Sequence, residues 1–116
     1  MTASILLSAT RLERLASDGA CIVVDCRFDL EDTTRGEALF VEAHVPGACY
    51  AHLDEDLSAP IGPETGRHPL PATENFARFL ARIGWTGDRL LVAYDEGSSA
   101  FAVRLWWLMR YHGLSA

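Results

Sequence analysis

With 116 residues, 49% of them hydrophobic, the chain has the apolar mass for one domain around one core. A formal charge of −6 leaves no basic stripe for a nucleic acid or an anionic membrane to bind. All ten cationic residues are arginine, so Schiff-base chemistry and a phosphate-loop lysine are excluded together.

The N-terminal stretch "MTASILLSATRLERL" has no charged leader and only a short apolar run, unlike a signal peptide or a membrane span. Leu7, Leu12 and Leu15 predict a short first helix. Ser8 is a candidate N-cap with Leu7 and Leu12 as a hydrophobic staple, and Thr10 with Glu13 forms a competing capping box. "ACIVVDC", residues 20–26, is an apolar run rich in β-branched residues, as expected of a strand buried on both faces. A short helix over 35–43 follows, then a turn at Pro46-Gly47 and a second strand over 48–53. Residues 54–72 form a long polar loop with Pro60, Pro63, Pro69 and Pro71, and loops of that length in a compact domain are often functional. Phe76, Phe79, Leu80 and Ile83 are spaced as one face of a helix closed by Gly84. "RLLVAY" predicts another buried strand, and a final helix over 98–112 is apolar almost all round, so cover on more than one side is expected. Strands alternating with helices imply an α/β fold with a parallel sheet and a ligand site at the strand C-terminal ends.

That rule directs attention to Asp95, Glu96, Gly97, Ser98, Ser99 and Ala100, which leave the last strand and open the last helix. Small residues let successive backbone N–H groups converge, and the helix start adds about half a positive charge. Such a cradle stabilises a thiolate, a persulfide or a phosphate. Three readings of Asp95 follow. Its carboxylate fills the anion position permanently and leaves the loop inert toward sulfur; it is an ordinary helix N-cap; or it is an aspartyl-phosphate nucleophile. The last lacks the usual second acid, since position 97 is glycine, and lacks a lysine to neutralise phosphate.

Cys21, Cys26 and Cys49 form an odd set without framework spacing, which predicts a reduced, cytoplasmic protein. Cys26, between Asp25 and Arg27, could have a lowered pKa, but its strand position favours inert packing. Cys49-x-x-His52 resembles one arm of a zinc site, yet nothing pairs with it at metal spacing, so no metal is expected. His44 is expected to bond backbone, Arg104 to make an ion pair or carbonyl contact, and the acidic "DEDL" at 54–57 to be a solvated turn.

The stretch "YDEGSSAFAVRLWWLMRYHG" resembles the N-terminal, non-catalytic domain of tandem rhodanese-type sulfurtransferases, which act on thiosulfate or 3-mercaptopyruvate. The shared pattern is Tyr94-Asp95, a small-residue loop, Ala102, Arg104 and Trp106-Trp107. "VVDCR" (23–27), "AHVPGA" (43–48) and "GRHPLP" (66–71) agree in order, and the likeness runs over about 5–113. The resemblance implies a rhodanese-like parallel sheet with helices on both faces, with residues 1–116 forming one domain that lacks the family's last strand and helix. It also implies sulfur transfer through a cysteine persulfide in a C-terminal catalytic domain, on the same polypeptide or another chain. A small sulfur-donor anion, no metal or organic cofactor, no nucleic acid and no membrane complete the expectation. By position, Asp95 stands where that second domain has its cysteine. His68 resembles a cleft residue of the mercaptopyruvate type, Arg67 beside it could hold an anionic donor, and His52 stands where that type often has aspartate. A stand-alone, inactive binding module is the competing class, and an aspartyl phosphotransferase the third.

Overall fold

A computed structural model describes residues 6–97, 99–114 and 116. Its elements run α1 (Ala9–Ser17), β1 (Cys21–Asp25), α2 (Arg35–Glu42), β2 (Cys49–Tyr50), α3 (Thr73–Arg82), β3 (Leu90–Tyr94) and α4 (Ala100–Tyr111). Of the two possible caps for α1, Ser8 is used: its side chain accepts the backbone N–H of Arg11 at 3.1 Å.

The three strands are parallel in the order β2-β1-β3. All of β1 is buried, and its alternation sends side chains into two cores. Ile22, Val24 and Cys26 face α3 and α4 through Phe76, Phe79, Leu80, Leu105, Leu108 and Met109. Cys21 and Val23 face α1 and α2 through Leu12, Leu15 and Phe40. Helices therefore cover both faces, as a parallel sheet requires.

Two element boundaries differ from expectation by more than one residue. The second strand ends at Tyr50 rather than reaching residue 53, because the chain turns out of the sheet. Ala51 still donates to Asp25 O at 2.9 Å, but His52 O then accepts from the backbone N–H of Asp56 at 2.8 Å and closes a turn. The last helix begins at Ala100, since Ser99 before it has φ 67°, a left-handed backbone that cannot be part of the helix. Its cover also differs. Leu105, Leu108 and Met109 are buried, while Val103, Trp107 and Tyr111 are exposed. β3 is one of the sheet's two outer strands among the described residues, the other being β2. An apolar groove of about 290 Å³ runs beside β3, lined by Leu6, Leu7, Leu12, Val103 and Trp106.

Asp25, at the end of β1, locks the strand ends together. It is fully buried, and Arg27 closes on it with Nε at 2.9 Å and Nη2 at 2.7 Å. Tyr94 Oη donates to the same carboxylate at 2.9 Å and accepts the Val45 N–H at 3.1 Å, while Arg27 Nη2 donates to Ala43 O at 2.6 Å. "VVDCR", "AHVPGA" and the end of β3 are thus one hydrogen-bonded unit. Gly36 is required where α2 crosses this unit: a Cβ there would overlap Arg27 O and Tyr50 Oη.

Candidate functional site

The C-terminal end of β3 carries Asp95, half-buried, with its side chain turned back into the following loop. Oδ1 accepts the backbone N–H of Ser99 at 3.1 Å, and Oδ2 accepts those of Phe101 at 3.0 Å and Ala102 at 2.9 Å. These are donors that the first turn of α4 cannot satisfy within the helix. Ser99, the residue in cap position, makes no side-chain cap bond, so Asp95 does a cap's work from outside the helix. Gly97 supplies a left-handed φ of 98° that lets the loop double back. Glu96 points outward to Arg35 Nη1 at 2.9 Å. Ala100 opens the helix, and Ser98 lies outside the described residues. Both oxygens of Asp95 thus accept backbone hydrogen bonds.

A second feature lies against the same helix. A cleft of about 300 Å³ is lined by Leu30, Leu53, Arg67, His68, Phe101 and Arg104. His68 Nδ1 is 3.2 Å from Asp54 Oδ1, an ion-pair distance without hydrogen-bond alignment, and this buried nitrogen has no hydrogen-bond partner among the described residues. Asp54 is exposed on a turn, as the sequence predicts, and the fold also sets it beside His68, which the sequence does not announce. The signal that could have found it is a carboxylate and a histidine at opposite ends of one proline-rich loop.

His52 is placed differently from His68 and Arg67. It is buried and does not line the cleft. Its Nδ1 accepts the backbone N–H groups of Asp54 at 3.1 Å and Glu55 at 3.2 Å, so Nε2 carries the proton and donates to Thr33 O at 3.1 Å. Both ring nitrogens are committed to ordering the turn that bears Asp54. Asp56 tightens that turn by accepting the His52 N–H at 2.8 Å and pairing with Arg82.

Arg104 makes carbonyl contacts. Its Nε and Nη2 reach Leu57 O at 3.0 and 2.8 Å, and Nη2 also reaches His68 O at 3.1 Å and Pro69 O at 3.3 Å. Burial pushes its pKa down. His44 bonds Phe40 O through Nδ1 at 2.7 Å and stacks on the Phe40 ring. Among the described residues, no group of three histidine, cysteine or acidic side chains could hold a metal ion. Burial first, then the carboxylates of Asp25, Asp95 and Asp56, push the Cys26 thiol well above its ordinary pKa, so it is no ready nucleophile. Burial likewise raises Cys21, against the opposing charge of Arg89.

Residues 8–115 match the rhodanese-like domain family. This chain belongs to that family. A relative from Pseudomonas aeruginosa, named "Probable 3-mercaptopyruvate sulfurtransferase", is 44% identical over 97% of this chain and 40% of its own length. The 3-mercaptopyruvate sulfurtransferase of Escherichia coli is 32% identical over 65% of the chain and 26% of its own length. Among solved structures, 3-mercaptopyruvate sulfurtransferase from Leishmania major superposes with a TM-score of 0.81 and 30% identity, over 90% of this chain and 29% of that one. The rhodanese-like chain thus spans less than half the length of the relatives it matches. No helix among its described residues is long and apolar enough to cross a membrane.

Proposed function

We propose that this chain is the non-catalytic, N-terminal rhodanese-like domain of a cytoplasmic sulfurtransferase, whose reactive cysteine lies in a C-terminal domain on the same polypeptide or a partner chain. In that reaction the cysteine thiolate attacks either the outer sulfur of thiosulfate, breaking its S–S bond, or the thiol sulfur of 3-mercaptopyruvate, breaking its C–S bond. The second cleavage releases an enolate that takes up a proton. Sulfite or pyruvate leaves, and the resulting persulfide hands its outer sulfur to cyanide or a thiol. The observation that carries the proposal is the Asp95 carboxylate, which takes three backbone N–H bonds from an amide cradle suited equally to a thiolate. A carboxylate in that position has no sulfur atom to lend.

The chain's own contribution is the cleft. Arg67 and His68 line it, with Asp54 3.2 Å from His68 Nδ1, and a small anionic donor can meet the imidazole there. The outer edge of β3 and its apolar groove support a further strand, contributed by the rest of the protein, completing the sheet there.

The test is a pair of substitutions. Asp95→Cys in this chain, exposed to thiosulfate, is expected to gain the mass of one sulfur atom, reversed by cyanide, while the parent gains none. In the full-length protein, replacing a cysteine of the second domain abolishes turnover and Asp95→Asn does not. Turnover of either donor by residues 1–116 alone would overturn the proposal.

A further inference from the structure

The inert loop and the cleft share α4. Ala102, whose N–H is held by Asp95 at 2.9 Å, lies two residues before Arg104, whose guanidinium reaches three carbonyls of the 54–72 loop. Those carbonyls come from both ends of the loop. Leu57 is three residues past Asp54, His68 O belongs to the cleft histidine itself, and Pro69 O also accepts the Ala59 N–H at 2.9 Å. One guanidinium therefore clips together the backbone that carries Asp54 and the backbone that carries His68.

The chemistry of the clip is telling. Taking a guanidinium out of water is costly, and a carboxylate is its usual compensation. Here burial lowers the Arg104 pKa, and neutral carbonyls accept its hydrogen bonds. Such an arrangement holds backbone in place, with no carboxylate paired to the guanidinium among the described residues. Lysine could not substitute, because a point ammonium lacks the planar fork that spans several acceptors.

We infer that Arg104 is a positioning residue: standing on the helix that Asp95 anchors, it fixes His68 against Asp54 in the cleft. Asp95, silent in sulfur chemistry, then acts at a distance by seating α4. Only the activity arm of the test below rests on the proposed sulfur transfer.

A chain of contacts is not by itself coupling, so the test measures coupling. The full-length protein, labelled with nitrogen-15 histidine, is compared before and after Asp54→Asn. In the parent that substitution moves the His68 ring-nitrogen signals. In Arg104→Met, and equally in Arg104→Lys, they no longer respond; in Asp95→Asn the response is reduced. With 3-mercaptopyruvate, both Arg104 variants lose about tenfold or more in kcat while KM stays within about twofold, as expected of misplacement rather than lost ground-state binding. A His68 response to Asp54→Asn that survives intact in both Arg104 variants overturns the inference. Should neither variant fold, hydrogen exchange at Arg104 Nε–H in the unaltered protein decides: slow exchange supports the clip, and exchange at the rate of an exposed arginine overturns it. A protein that moves no sulfur but loses the His68 response as stated removes the proposed function and leaves the positioning role standing.

Discussion

Asp25 and Asp95 stand at the C-terminal ends of adjacent parallel strands, one residue out of register, since Asp25 pairs with Tyr94. Their partners are of opposite kinds. Asp25 is wholly buried and answered by side chains, the Arg27 fork and the Tyr94 hydroxyl. Asp95 is half-buried and held by backbone amides. A carboxylate tied to a guanidinium is tied to one sequence, because removing either member strands the other charge. An amide cradle is indifferent to the anion it holds, so the residue at its mouth can change while the fold persists. This difference sets a strand end closed by its own side chains against a neighbour closed by an amide cradle.

The comparison is tested most severely at Asp25. Asp25→Ala leaves the Arg27 guanidinium beside a buried void, and a loss of about 3–5 kcal/mol in urea unfolding is expected. A loss no greater than that of the Asp95 variant would erase the distinction. Gly36→Ala probes the same unit from the helix side. Its methyl group would overlap Arg27 O and Tyr50 Oη, and relieving that clash should cost about 2–3 kcal/mol, measured in the same way. Asp95→Asn keeps one acceptor and loses the charge. About 1–2 kcal/mol is expected, the scale of a helix cap, with the fold retained by circular dichroism.

Much of this scaffold was legible because its causes are local. The buried run of β1, the helical spacing of Phe76, Phe79 and Leu80, and the Ser8 cap are each written within a few neighbouring residues. The family was legible for another reason: four motifs stand in order along one chain, and residues 8–115 match accordingly. The cleft was only half legible. His68 and Arg67 stood out as residue types in a long loop, but the partner of His68 lies fourteen positions earlier, across that loop. The surroundings of His52 were hidden for the same reason. Its commitment to Thr33 O depends on the early exit of β2 from the sheet, which residue periodicity does not announce. The carbonyl targets of Arg104 likewise exist only once the loop has closed.

The smallest expected effect joins the two aspartates through the thiol between them. Cys26 is buried, and after burial the largest influences on it are Asp25 and then Asp95, all favouring the neutral thiol. Its folded pKa therefore lies above the unfolded value of about 8.5. A raised pKa means that the unfolded chain releases its proton first. The neutral thiol's contribution is complete below about pH 8.5 and is lost as pH rises toward the folded value. Between about pH 8.5 and 9.5 this one group should lower stability by about 1 kcal/mol. Tyr50 and Tyr94, also raised chiefly by burial, add their own losses only from about pH 10, so the window isolates thiols. Cys21 contributes to the same slope, and the difference between parent and Cys26→Ala removes it from the comparison. Urea unfolding across this window should give a flatter profile for Cys26→Ala than for the parent. Parallel profiles would mean that Cys26 ionises as readily folded as unfolded, and that neither strand-end carboxylate reaches it.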